Sequence, residues 1–237
     1  VGRSSLEGNT TGTSNTAVGK DALQGNTTAD NNTAVGYAAL EANTTGTENT
    51  SVGADAMQTS VTGNYNVAVG GNALFAANGA DSNTGIGYNA LAATTTGEFN
   101  TAVGSAALAT NTTADNNTAV GRNALLVNTT GHTNVAVGAH TTGEYNVAVG
   151  ATAGDALTTG SLNTAVGYNT LGVATTAANN TALGGQALAI NTSGANNTSV
   201  GQNSMVANTE GSNNVAVGAL TLDAATTANN NTAVGQG

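Results

Sequence analysis

The stretch Asn32–Gly53, NTAVGYAALEANTTGTENTSVG, opens and closes on the same pentapeptide pattern 17 residues apart. The pattern N-T-A-V-G or a close variant ends at Gly19, Gly36, Gly53, Gly70, Gly87, Gly104, Gly121 and Gly138, and Gly2 fits the same series. It resumes at Gly150 and continues through Gly167, Gly184, Gly201 and Gly218 to Gly235. One step of 12, between Gly138 and Gly150, interrupts the steps of 17. The repeat occupies all 237 residues as a single domain, with no linker or shift in composition. A period of this kind belongs to a solenoid, in which each unit buries surface only against its neighbours.

Columns of the repeat carry distinct chemistry. Four residues before each Gly stands Asn, from Asn15 and Asn32 to Asn231. A stack of amides can hydrogen-bond along its column, and Asn tolerates left-handed backbone at a turn. Two before the Gly only Ala, Ser or Gly occurs, and one before it Val, except at Ile86 and Leu183. Four after it comes Leu or Met, from Leu6 and Leu23 to Met205 and Leu222, missing only around Gly138 and Gly150. Between that Leu and the next Asn lies turn chemistry such as N-T-T-G-T-E. N-T-A-V reads as a short strand with Thr and Val on one face and Ala on the other. Seventeen residues hold too few apolar positions for a helical hairpin repeat, which takes about 33. The expected fold is all-β, a parallel β-solenoid (β-roll) of about fourteen coils.

The alternation leaves open which face is inside. With Ala inside, Val and the Thr or Val two residues earlier form a long outward stripe that a soluble monomer does not tolerate. With Val inside against Leu, the small Ala column admits another chain closely. Either arrangement favours self-association along the solenoid; cyclic homo-oligomers are the commonest closed solution, and a homotrimer of solenoids around one axis is the expected version.

Composition agrees and excludes other classes. Leu, Ile, Val and Phe make up 40 of 237 residues, about 17%, and only 7% of residues are charged. That is too little apolar volume for one compact core and too little charge for a solvated coil. Three Lys+Arg against thirteen Asp+Glu cannot neutralise a phosphate backbone, so no nucleic-acid partner is expected. No segment approaches the ~20 apolar residues of a membrane span, so no membrane insertion is expected. There is no Cys to build a disulfide or thiolate site, and no Pro to interrupt backbone hydrogen bonding.

The strings Asn32–Gly53 and Asn117–Gly138, NTAVGRNALLVNTTGHTNVAVG, resemble repeats of bacteriophage tail-fibre-type proteins. The V-A-V-G core at Val67–Gly70, Val135–Gly138 and Val147–Gly150 is similar to the head repeat of trimeric autotransporter adhesins. The resemblance implies a trimeric left-handed β-roll, extracellular, on a virion tail fibre or bacterial surface, serving as a structural shaft or adhesive segment in host attachment. Two departures stand against it: adhesin-head coils are nearer fourteen residues, and no chaperone or anchor segment is present. Because the chain begins Val1-Gly2 and ends Val234-Gly235-Gln236-Gly237 inside the repeat, it is expected to be part of a longer fibre.

Candidate sites are few, and no enzyme activity, cofactor or metal is expected. His132 and His140 are the only histidines, and two such groups make no catalytic triad without an orienting partner. Asp30, Asp81 and Asp115 share one column and Asp21 and Asp55 another, but the G-G-x-G-x-D pattern of calcium-binding β-rolls is absent. No G-K-[ST] follows the glycines, so they form no phosphate loop. The N-T-T and N-N-T triplets match glycosylation sequons and read more simply as turns. The short coil at residues 139–150 predicts a waist on the Leu side. His132, His140, Glu144 and Tyr145 lie at or beside it and are the candidate contacts for a host-surface glycan or protein. Thr columns on a flat solenoid face, such as Thr33 or the Thr44–Thr45 pairs, offer an ice-binding surface as one alternative; a self-assembling extracellular filament is the other.

Overall fold

The computed structural model describes residues 2–138 and 143–237, and among these there are fourteen three-residue strands and no helix. The chain forms two compact units, Val1–Thr130 and Gly131–Gly237. The first carries β1 to β7, at Thr16–Val18, Thr33–Val35, Thr50–Val52, Val67–Val69, Thr84–Ile86, Thr101–Val103 and Thr118–Val120. The second carries β8 to β14, at Val135–Val137, Val147–Val149, Thr164–Val166, Thr181–Leu183, Thr198–Val200, Val215–Val217 and Thr232–Val234. Within each unit consecutive strands pair in parallel without crossover, so both are β-solenoids with one rung per repeat. Register follows the sequence columns: Thr33 faces Thr50, Ala34 faces Ser51 and Val35 faces Val52. The 12-residue step keeps this register, pairing Val135 with Val147 and Val137 with Val149.

Ala is inside. Ala34, Ala68, Ala102, Ala136, Ala165 and Ala216 are fully buried, as are Ser51 and Ser199 in the same column. Val faces outward, with Val69, Ile86, Val120, Val137 and Val217 each 36–39% exposed. The interior is too narrow for larger strand side chains, and its volume comes from the opposite wall, where Leu23, Leu40, Met57, Leu74, Leu91, Leu108 and Leu125 are completely buried.

That wall explains why the column holds Leu or Met and never Val or Ile. Every one of these residues has a left-handed backbone, with φ from 47° at Met205 to 54° at Leu6 and Leu91. A β-branched side chain is a genuine outlier there, whereas Leu branches one carbon further out. Each full coil also bends at two more left-handed residues, the one two after the Gly (Asp21, Ala38, Asn72) and the one just before the Asn (Ser14, Asn31, Glu48). Left-handed geometry therefore falls beside the invariant Asn and not on it. Leu91→Ile, equal in volume, is expected to lower stability by about 1–3 kcal/mol through backbone strain, while Leu91→Met costs under about 1.5 kcal/mol. Urea midpoints of the two variants check the order, and equal midpoints would reject strain as the cause.

Asn instead builds the ladder. Within each unit the Asn Oδ1 accepts the backbone N–H of the next Asn, as Asn32 Oδ1 does from Asn49 N at 2.9 Å and Asn180 Oδ1 from Asn197 N at 3.0 Å. Its Nδ2 donates to the carbonyl at the following corner, Asn32 to Gly46 O at 2.8 Å and Asn66 to Ala80 O at 2.7 Å. One amide thus ties a strand to a turn 14 residues on, satisfying polar groups that burial would otherwise leave unpaired.

A second amide ladder runs along Asn9, Asn26 and Asn43, where Asn26 Nδ2 donates to Asn9 Oδ1 at 2.8 Å and Asn43 Nδ2 to Asn26 Oδ1 at 3.1 Å. It stops where Ser60 turns its hydroxyl to Ala77 O, leaving Asn43 Oδ1 buried without a partner. The same column carries Leu157 in the second unit. Its Cδ1 lies 3.0 Å from where a Cβ on Gly154 would stand, so Leu157 fills the space that the missing column Leu vacates. Of the short coil at 139–150, on which the waist is expected, residues 139–142, His140 among them, lie outside the described residues.

Candidate interaction surfaces

Strand alternation positions an apolar candidate surface on each unit. With Ala and Asn turned in, the outward positions of all fourteen strands are Thr, Val, Ile or Leu, and no charged residue occurs in any of them. Beyond the strand ends stand further exposed apolar side chains, Tyr65, Phe99 and Leu162 just before the Asn, and Tyr37, Tyr88 and Tyr168 just after the Gly. Lys20, over the Tyr37 ring at 5.0 Å, also pairs with Asp21 at 2.7 Å, and that carboxylate holds the ammonium pKa above its ordinary value.

Three of the four predicted contact residues come together. The His132 Nε2 lies 3.2 Å from Glu144 Oε1, a pair that is ionic only when the imidazole is protonated. The His132 and Tyr145 rings meet edge to face with centroids 5.2 Å apart. Tyr145 N–H donates to His132 O at 3.2 Å, so the contact follows from rung stacking across the short coil. Both side chains of the pair are well exposed, which leaves the cluster open to a partner. His140 lies outside the described residues.

The Asp column is occupied by backbone. Asp30 Oδ1 accepts both the N–H and the hydroxyl of Thr13, and the Thr13 amide bond, followed by its hydroxyl, holds the Asp30 carboxyl below its ordinary range. Asp81 does the same for Asn64 N at 2.7 Å and Asp115 for Glu98 N at 2.8 Å. Neutral Asn64 accepts from Thr47 N at 2.9 Å and Ser212 from Ala195 N at 3.0 Å in the same column. The contact needs no charge, and Ala178 and Ala195 in the same column show that the coil forms without a side-chain acceptor there. Thr pairs are likewise half committed, since Thr27 Oγ1 donates to Thr44 O at 3.1 Å and Thr95 Oγ1 to Thr112 O at 3.1 Å. The first Thr of each pair stacks coils, and the second, such as Thr28, Thr45 and Thr96, is exposed.

One feature was missed in the sequence. Phe75 stands in a column that holds Glu7, Gln24, Glu41 and Gln58 before it, where Gln58 Nε2 donates to Glu41 Oε2 at 2.7 Å, and Ala92 after it. The drop from Phe to Ala opens a concavity of about 240 Å³ lined by Asn72, Phe75, Asn89 and Ala92. The readable signal was the size step along one column. Against known proteins, no family model, no curated protein and no solved structure matches this chain.

Proposed function

We propose that this chain is a non-catalytic shaft or adhesive segment of an extracellular fibre, on a virion tail fibre or bacterial surface, in which three copies of a left-handed β-roll pack through their strand faces. The observation that carries the reading is the outward Val column, which repeats at every rung and bears no charge. A second copy fits it best. An identical solenoid presents apolar side chains at the same spacing, so contacts repeat rung after rung, and a face without carboxylates avoids the repulsion that a net charge of −10 would impose elsewhere. Extended apolar surface of this kind marks a protein-protein interface. The His132–Glu144–Tyr145 cluster then serves as a contact for a host-surface glycan or protein.

Sedimentation equilibrium tests the assembly. The expected mass is three times the 22.7 kDa of one chain, and Val69→Lys with Val103→Lys is expected to release monomers. A wild-type monomer overturns the trimer. Adsorption to host cells or glycans is expected to fall in the His132→Ala/Tyr145→Ala variant with the trimer intact, and unchanged adsorption removes that contact. Thermal hysteresis from a monomer would instead favour an ice-binding role for the outward Thr column.

A further inference from the structure

Asn78-Gly79 is the one Asn-Gly pair in the sequence, and it replaces the stacking Thr pair of its coil. In other coils the corner is tied down. Thr44 and Thr45 N–H both donate to Val61 O, at 3.0 and 3.3 Å, and Thr95 and Thr96 N–H donate to Thr112 O, at 2.9 and 3.3 Å. At Asn78 the pattern breaks. Its N–H turns back to Ala76 O at 2.6 Å within the same coil, and no hydrogen bond of the described residues joins the Asn78 carbonyl or the Gly79 amide to a neighbouring coil. Gly79 has φ of 91°, a region that glycine enters without penalty, and the space where a Cβ would stand meets only Thr62 Oγ1, at 3.6 Å. Asn78 is exposed.

From this geometry we infer that Asn78-Gly79 is a site of spontaneous backbone modification, closing to a succinimide and opening to aspartate and isoaspartate. The Gly79 nitrogen, unpaired and unshielded by a side chain, loses its proton to solvent base and attacks Asn78 Cγ. The new C–N bond forms as the Cγ–Nδ2 bond breaks, and Nδ2 leaves as ammonia. Water then opens the ring at either carbonyl. Opening at one restores the backbone as aspartate, and opening at the other routes it through the side-chain carbon as isoaspartate. No electrons are transferred; ammonia is lost, water is gained, and one negative charge appears near neutral pH. The ladder asparagines are protected from the same reaction, because their amides are buried and bonded and the residue after each carries a Cβ that hinders approach. Isoaspartate adds one backbone carbon, which a corner already released from its neighbours can absorb while the strands stay stacked.

The test is incubation of the folded chain at mildly alkaline pH and body temperature, followed by peptide mapping and enzymatic methylation of isoaspartyl carboxylates. Asn78 is expected to lose its amide an order of magnitude faster than Asn31 or Asn64, with isoaspartate among the products and the β-sheet circular dichroism unchanged. The Asn78→Thr/Gly79→Thr variant, which installs the Thr pair of the following coil, Thr95 and Thr96, is expected to show neither product. An isolated peptide spanning residues 72–85 provides the unconstrained reference. Retention of the Asn78 amide in the folded chain while that peptide reacts would overturn the proposal.

Discussion

Gly184→Ala and Gly185→Ala, one position apart, are expected to move stability in opposite directions. Gly184 has φ of 127°, and a Cβ there would stand 2.7 Å from both C and O of Gly201 in the next coil. The obstruction is backbone on both sides. Gly184 N–H already donates to Val166 O at 2.8 Å and Gly201 N–H to Leu183 O at 2.8 Å, so neither coil can retreat without breaking the rung below or above. Strain and clash together place the loss at about 3–5 kcal/mol. Gly185 is different. A Cβ there meets nothing within 4 Å and its φ is not left-handed. Ala at that position reduces the freedom of the unfolded chain and raises stability by about 0.4–1 kcal/mol. Urea denaturation of the pair separates the two effects, and equal midpoints would show that coil approach at the Gly column is not what requires glycine.

Much of the architecture was legible because a solenoid writes its contacts at constant spacing. The 17-residue step gives the parallel register directly, since one full coil carries the chain from Thr33 to its partner Thr50. The orientation of the strand was not legible, because a three-residue strand alternates equally well either way round. What decides it is the Asn ladder. Asn32 must face in to reach Asn49 N and Gly46 O, and alternation then carries Ala34 in and Val35 out. The left-handed Leu positions were also hidden, since a column of Leu and Met reads as ordinary core until its lack of Val and Ile is noticed. The clustering of His132, Glu144 and Tyr145 was legible because a shortened coil brings residues 12 and 13 apart together. The Phe75 concavity was not, because it depends on the size of the side chain one coil away.

Asn83 carries the other large effect, and the identity of its replacement changes the answer. Its Oδ1 accepts from Asn100 N at 2.9 Å and Asn100 Nδ2 at 3.1 Å, while its Nδ2 donates to Gly97 O at 2.8 Å and Asp81 O at 3.1 Å. Asn83→Ala leaves a buried N–H and a buried carbonyl without partners, at about 1–3 kcal/mol each, for a loss of about 2–6 kcal/mol. Asn83→Asp keeps an acceptor for Asn100 but turns carboxylate oxygen towards the Gly97 and Asp81 carbonyls, so at neutral pH it is expected to be at least as damaging as Ala. Acid separates them. Burial among acceptors favours the protonated carboxyl, which donates as the lost amide did, so the folded-state pKa of that variant lies above its unfolded value. The folded form then binds more protons than the unfolded one, and stability falls as pH rises through the folded pKa and recovers as pH is lowered. The Ala variant shows no such added recovery relative to wild type. The double variant Asn83→Ala/Asn100→Ala is expected to cost less than the sum of its singles, because both remove the bond from Asn100 Nδ2 to Asn83 Oδ1. Strict additivity would mean that the amides act one by one and not as a ladder.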